Sequence, residues 1–168
     1  IGGAIYGLIP GLLKALLGVN EIIVTVMMNY IVQFILSYMI SNHWRAPEDY
    51  YLQTSFIPKS VRFPMILPQS RVHLGFLLAI IATLVIFYFL WKTSSGFEIR
   101  ALGESRAASR YKGINTKRVI IIVMIISGAV AGLAGGGEVV GVHHRLRLDI
   151  SSNFGYTGII IALLGKLN

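Results

Sequence analysis

Few side chains in this 168-residue chain are of a type and spacing that performs covalent chemistry. His143 and His144 are adjacent, so on a helix or a strand they point in different directions, and no carboxylate pairs with them at metal-site spacing. They read as interfacial polar residues beside Arg145, and no metal is expected. No serine lies in a Gly-x-Ser-x-Gly elbow. A phosphate-cradling loop needs G-x-x-x-x-G-K followed by Ser or Thr. The Gly-Lys pair, Gly165-Lys166, has Ile160 where the first glycine belongs and Leu167 after it, so ATP is not expected to bind in that way. Without cysteine there is neither a disulfide framework nor a thiol ligand. No catalytic constellation remains, and an enzyme is not expected.

What does recur is polarity inside apolar sequence. Glu21, Thr25, Asn29, Gln33, Ser37 and Ser41 return every four residues. A step of four advances about 400° on a helix, so each falls about 40° from the last, and Thr25, Asn29 and Gln33 share one sector. An amide facing lipid leaves donors and acceptors unsatisfied, so this sector must face protein or water. Two readings stay open: hydrogen bonding between helices, or the lining of a polar solute path. Glu138 follows a glycine run directly and reads either as a helix-end group or as part of such a path.

Two further patterns concern contact rather than chemistry. Gly128, Gly132 and Gly136 are spaced GxxxGxxxG, with Ser127, Ala131 and Gly135 alongside; small residues at that spacing let two helix backbones approach closely. The stretch RALGESRAASRYKGINTKR, Arg100 to Arg118, mixes basic with small residues. Gly103 and Gly113 bracket ESRAASRYK, which reads as a short helix, with Gly113 at the left-handed position after its end and Lys112 placed well for the dipole. On it Ala107, Ala108 and Tyr111 form one small face. Arg106 and Arg110 stand together at i, i+4, where like charges repel, so helix stability does not account for them. A flat alanine face with an aromatic anchor and a basic flank suits docking onto another protein. The alternative is a solvated loop, or one resting on anionic membrane lipid.

The elements that must carry these residues follow from composition: 55% of residues are hydrophobic and 13% charged. Ile22–Ser41, Leu74–Trp91 and Val119–Gly137 run for twenty, eighteen and nineteen residues without a charge. About 20 apolar residues cross a hydrocarbon core of about 30 Å, and only a helix satisfies its own backbone there. The expectation is an all-α, polytopic transmembrane bundle in a single domain over residues 1–168. Ile1–Leu13 and the segment from Gly155 read as truncated spans, so the chain is expected to be the middle of a longer protein. The net charge of +8 is a matter of topology. Lys92 to Arg118 holds seven basic residues against Glu98 and Glu104, whereas Asn42–His73 and the segment after Gly137 are nearly balanced. By the positive-inside rule the first is cytoplasmic and the other two external. Nucleic acid is not an expected partner, since no recognition module is present.

The order GLIPGLLKALLGVNEIIVTVMMNYI, RALGESRAASRYKGIN, SGAVAGLAGGGEVVGVHHRL and FGYTGIIIALLGKLN closely resembles bacterial ATP-binding-cassette (ABC) importer permeases. The subgroup is that serving nucleosides and simple sugars with receptor lipoproteins of the basic-membrane-protein type, related to ribose and branched-chain amino acid permeases. The resemblance covers nearly all of the chain. It implies a permease about twice this length in the bacterial inner membrane, containing broken helices. Its partners would be an ABC ATPase subunit that holds ATP and magnesium, a second permease subunit and a receptor lipoprotein. It also implies that the pattern G-x-x-x-A-A-x-x-x-x-G-I-N is a cytoplasmic coupling helix resting in a groove of the ATPase. Here that is Gly103, Ala107, Ala108, Gly113, Ile114 and Asn115, together with Glu104, Arg106, Arg110 and Tyr111. Many relatives have Asn-x where Glu104-Ser105 stands. The resemblance further places Asn20 and Glu21, within Gly18–Glu21, and Glu138, within the segment to Gly155, near the translocation path with Thr25, Asn29 and Gln33. Alternating access would move the solute. A non-transporting scaffold whose basic loop recruits a partner or lipid is the alternative from another class. A secondary transporter would want an acidic residue or histidine within a span, which the three uncharged runs do not offer.

Overall fold

A computed structural model describes residues 1–44, 53–64, 73–148, 150 and 154–166. The chain is helical: α1 Gly2–Leu17, α2 Glu21–Asn42, α3 Leu74–Lys92, α4 Ser94–Glu104, α5 Arg106–Tyr111, α6 Thr116–Glu138 and α7 Phe154–Lys166. A π-helical turn, Val139–His143, extends α6. Three of these are long and apolar enough to cross a membrane: α2, α3, and α6 with its π turn, with mean hydropathies of 1.8, 2.5 and 2.4. They coincide with the three expected spans, the last running further at both ends. Apolar side chains of α2 and α3 are mostly exposed and those of α6 mostly half-buried, and α3 buries none of its residues, as befits helices that lie in lipid or against other helices.

The tightest packing is between α1 and α6, which run antiparallel. A Cβ placed on Gly3 would strike the carbonyl of Gly128 and come within 2.8 Å of the Gly132 Cα; one on Gly7 would lie 3.1 Å from the Gly128 Cα. One on Gly11 would lie 2.9 Å from the Met124 Cβ. Gly3, Gly7 and Gly11 therefore form a second GxxxGxxxG face that meshes with the first, and only hydrogen at Cα permits the approach. The expected ladder needs one correction. Gly128 and Gly132 are in the seam, but a Cβ on Gly136 would meet nothing within 4 Å. Among the described residues no backbone faces Gly136 at that level.

Local chemistry sets the corners. α1 ends where Gly18 adopts φ 70° and donates its N–H to the Lys14 carbonyl at 3.1 Å, the left-handed stop that glycine takes without strain. Asn20 then caps α2, its side chain accepting from Ile22 N at 3.0 Å. The Tyr6 hydroxyl donates to the Met28 carbonyl at 2.6 Å and ties α1 to α2. At the far end of α3, Thr93 donates to the Phe89 carbonyl and accepts from Gly96 N, so the chain turns sharply into α4. Residues 94–104, for most of which the sequence signals no helix, form α4; their apolar content is too low to signal a span, and Thr93 supplies the cap.

The end of the bundle opposite α4 and α5 is closed by the segment after α2 lying against the segment after α6. Gln53 bridges Arg147, Thr54 N donates to the Leu146 carbonyl at 3.1 Å, and Ile57 N donates to the His144 carbonyl at 2.8 Å. Arg145 lies over the Phe56 ring at 4.6 Å. The two segments expected on one side of the membrane do share one end of the fold.

Candidate coupling and translocation sites

The short basic helix differs from expectation at its start. Ser105 is extended, φ −154° and ψ 116°, and its hydroxyl accepts from Ala108 N at 3.3 Å. It is the cap, so α5 begins at Arg106, while Gly103 and Glu104 close the last turn of α4. Gly103 brackets nothing; an extended serine is the break, because its side chain can satisfy an N–H that the helix leaves free. At the other end the expectation holds. Gly113 has φ 79°, Lys112 N donates to the Ala108 carbonyl, and Ile114 N donates to the Ser109 carbonyl at 3.0 Å. Asn115 then caps α6, accepting from Arg118 N at 3.2 Å. The G-I-N of the pattern is hence the stop of one helix and the start of the next.

Ser109 is 1% exposed and Ile114 is half-buried, so α5 is seated against the rest of the chain on that side. Ala107, Ala108, Arg106 and Arg110 are exposed, and Tyr111 is 94% exposed. An aromatic ring that open, beside two alanines and two guanidinium groups, is a projecting surface with no partner among the described residues. Beside α5, Trp91, Phe97, Arg100, Ala101, Gly103 and Glu104 line a groove of about 810 Å³. Arg100 stacks over Trp91 at 4.4 Å and Lys112 lies over Phe97 at 6.0 Å. Aromatic and cationic side chains thus alternate along this end of the fold.

The residues expected along a solute path do not converge on one point. Asn20 serves as the α2 cap, and Glu21 pairs with Lys14 across the α1–α2 turn. Thr25 donates to carbonyls of its own helix, Glu21 at 2.8 Å and Ile22 at 3.0 Å. Asn29 and Gln33 are exposed and, among the described residues, make no hydrogen bond. Glu21 accepts from Lys14 of α1; no hydrogen bond from another member of the polar ladder to a second helix is present among the described residues. Glu138 stands at the opposite end of the bundle from Glu21. There His143 Nδ1 lies 3.4 Å from Glu138 Oε1. That pair was not legible from spacing. On an α-helix positions five apart diverge, but the wider π turn, closed by His144 N donating to the Val139 carbonyl at 2.8 Å, swings them back together. His144 itself ends the turn at φ 55°. Among the described residues no group of three metal-ligating side chains forms.

Residues 1–168 match, end to end, the family described as the permease component of branched-chain amino acid transport systems. The chain is 40% identical to a guanosine ABC transporter permease of Bacillus subtilis (strain 168), over 97% of this chain and 48% of that protein. It is 37% identical to a nucleoside ABC transporter permease of Lactococcus lactis subsp. cremoris (strain MG1363), over 97% and 47%. It is 29% identical to a glucose ABC transporter permease of Haloferax volcanii, over 99% and 46%. The chain spans about half the length of these relatives. No solved structure matches it. With glycine-packed apolar helices, a seated helix of exposed small and basic residues and a full-length match, this chain belongs to the branched-chain amino acid transport system permease family.

Proposed function

We propose that this chain is the core of the membrane permease subunit of an ABC importer for nucleosides or simple sugars, and that a separate ATPase subunit holds the ATP and magnesium. The observation that carries the reading is α5. It is anchored through Ser109 and offers Ala107, Ala108 and Tyr111 outward, which is the form of a knob that fits a groove on another protein. Binding and hydrolysis of ATP move the partner subunits. α5, joined to α6 by the Lys112–Asn115 turn, passes that motion to the spanning helices. Alternating access then exposes the solute site to each side in turn.

The substrate class rests on the relatives together with α2. Nucleosides and sugars carry many hydroxyl groups and need partners that replace water. The side-chain amides of Asn29 and Gln33 both donate and accept, and among the described residues neither has a hydrogen-bond partner. A second permease subunit and a receptor lipoprotein complete the assembly in the inner membrane.

Co-purification tests the reading. The full-length permease is expected to carry an ATPase subunit through detergent extraction, and Ala108→Trp, which fills the flat face, is expected to lose it while remaining inserted. Retention of the ATPase by Ala108→Trp would overturn the seated-face reading of α5, and a wild-type permease that carries no ATPase would favour a scaffold whose basic loop recruits a partner or lipid.

A further inference from the structure

The groove at the corner of α3 and α4 joins two kinds of surface. On α3, Ile80, Leu84, Phe87 and Trp91 recur at intervals of four, three and four, which puts them on one helix face. All four are exposed, and the Phe87 and Trp91 rings pack with centroids 6.2 Å apart. The rise from Ile80 to Trp91 is about 16 Å at about 1.5 Å per residue, close to the half-thickness of a hydrocarbon core of about 30 Å. An apolar strip one leaflet long therefore ends at Trp91, where the groove begins. There the chemistry becomes cationic. The Arg100 guanidinium lies over the Trp91 ring at 4.4 Å. A guanidinium stacked by its face keeps its N–H edge for an oxyanion. The Arg100 Nε is buried and has no hydrogen-bond partner among the described residues, and a buried donor left alone is costly. Lys112 of α5 adds a second cation, its Nζ over the Phe97 ring at 6.0 Å. Glu104 lines the same groove, but no ion pair joins it to Arg100 among the described residues.

We propose that this groove binds the phosphate of an anionic diacyl phospholipid from the adjoining leaflet, with an acyl chain laid along the Ile80–Trp91 face of α3. The phosphodiester accepts from the N–H edge of Arg100, Lys112 adds attraction, and the Trp91 indole stands at the headgroup level that tryptophan favours. One amphipathic molecule thus answers both halves of the surface. An acidic side chain of a partner protein would answer Arg100 alone and leave the strip above it to other contacts. Glu104 repels a dianion more than a monoanion, so a phosphodiester fits better than free phosphate. A lipid held in this way fastens α4, and with it the root of α5, to the membrane surface. Such binding depends on membrane insertion alone, whether or not the protein is an importer.

The test is lipid binding by the full-length permease in detergent, titrated with phosphatidylglycerol, phosphatidylcholine or inorganic phosphate and read by native mass spectrometry. Wild type is expected to prefer phosphatidylglycerol to phosphatidylcholine, whose choline cation would meet Arg100 and Lys112, and inorganic phosphate is expected not to displace the lipid. Arg100→Gln is expected to weaken phosphatidylglycerol binding about tenfold, as loss of charge-assisted hydrogen bonds does. Lys117→Gln removes an exposed charge of the same basic segment that does not line the groove, and is expected to change the affinity by less than about twofold. Where Arg100→Gln does not insert, Arg100→Lys is read in its place; it keeps the charge without the fork and is expected to weaken binding by about threefold or more. Equal weakening by Arg100→Gln and Lys117→Gln would make the attraction one of diffuse surface charge and overturn the proposal. Equal binding of the two lipids by wild type, displacement by inorganic phosphate, or unchanged affinity in the Arg100 variant would overturn it as well. Should Arg100→Gln keep the lipid and lose a co-purifying ATPase, the groove is a protein contact and not a lipid site.

Discussion

Replacement of Gly128 by alanine is expected to force α1 and α6 apart. Its new Cβ would lie 2.9 Å from the Gly7 Cα and nearer still to the Gly3 carbonyl oxygen. Carbon atoms settle at about 3.5–4.0 Å, so the helices must separate by about 0.6–1 Å, and a gap of that size forfeits about a quarter to a half of each contact it opens. In lipid such contacts are the principal force between helices. Overpacking of this kind costs about 1–3 kcal/mol, and because the obstruction is backbone rather than a flexible side chain, the upper half of that range is expected. Gly132→Ala meets the Gly3 Cα at 3.0 Å and the Gly3 N at 3.2 Å, a milder conflict of about 1 kcal/mol. Gly136→Ala meets nothing within 4 Å and should be neutral or gain up to about 1 kcal/mol from better helix propensity. Midpoints of unfolding in mixed detergent, read for the three variants and wild type, give the order directly. If Gly136→Ala destabilises as much as Gly128→Ala, or Gly128→Ala is harmless, the seam is not where the structure puts it.

Three more outcomes are expected. In this cysteine-free background, a cysteine at exposed Ser60 should label from outside intact cells and one at exposed Ala107 should not; the reverse pattern would invert the orientation. Asn29→Leu should reduce solute uptake more than it reduces assembly or basal ATPase activity, and equal loss of all three would make Asn29 a packing residue. Arg106→Ala should weaken ATPase association less than Ala108→Trp does, with an effect that shrinks as ionic strength rises; a salt-independent loss larger than that of Ala108→Trp would make α5 an electrostatic contact rather than a seated face.

Uncharged length made α2, α3 and α6 plain in the sequence, because twenty apolar residues have few other uses. The glycines of α6 were equally plain, yet their counterpart Gly3-Gly7-Gly11 lay unnoticed in a segment judged only by its inadequate length. The same spacing, applied there, would have paired the two helices and excluded Gly136. At α5 the left-handed Gly113 was legible since glycine is the residue that position favours. The start was not, because Gly103 is an ordinary helical glycine and the true break is a serine whose capping role depends on its backbone being extended. The Glu138–His143 pair needed the π turn, and no residue type announces one. Glu21 was recognised as unusual but assigned by its place in a four-residue repeat; its partner Lys14 comes from α1, and the turn at Gly18 brings the two together.

In the proposed function, ATP drives a polar solute through these helices by way of α5. The most direct measurement is uptake of labelled nucleosides and simple sugars into proteoliposomes holding the full-length permease, its ATPase and its receptor, with and without ATP, for wild type and Ala108→Trp. The account predicts uptake of at least one such solute that requires ATP and is abolished by Ala108→Trp while the permease stays inserted. Uptake that persists in Ala108→Trp, or that proceeds equally without ATP, would contradict it.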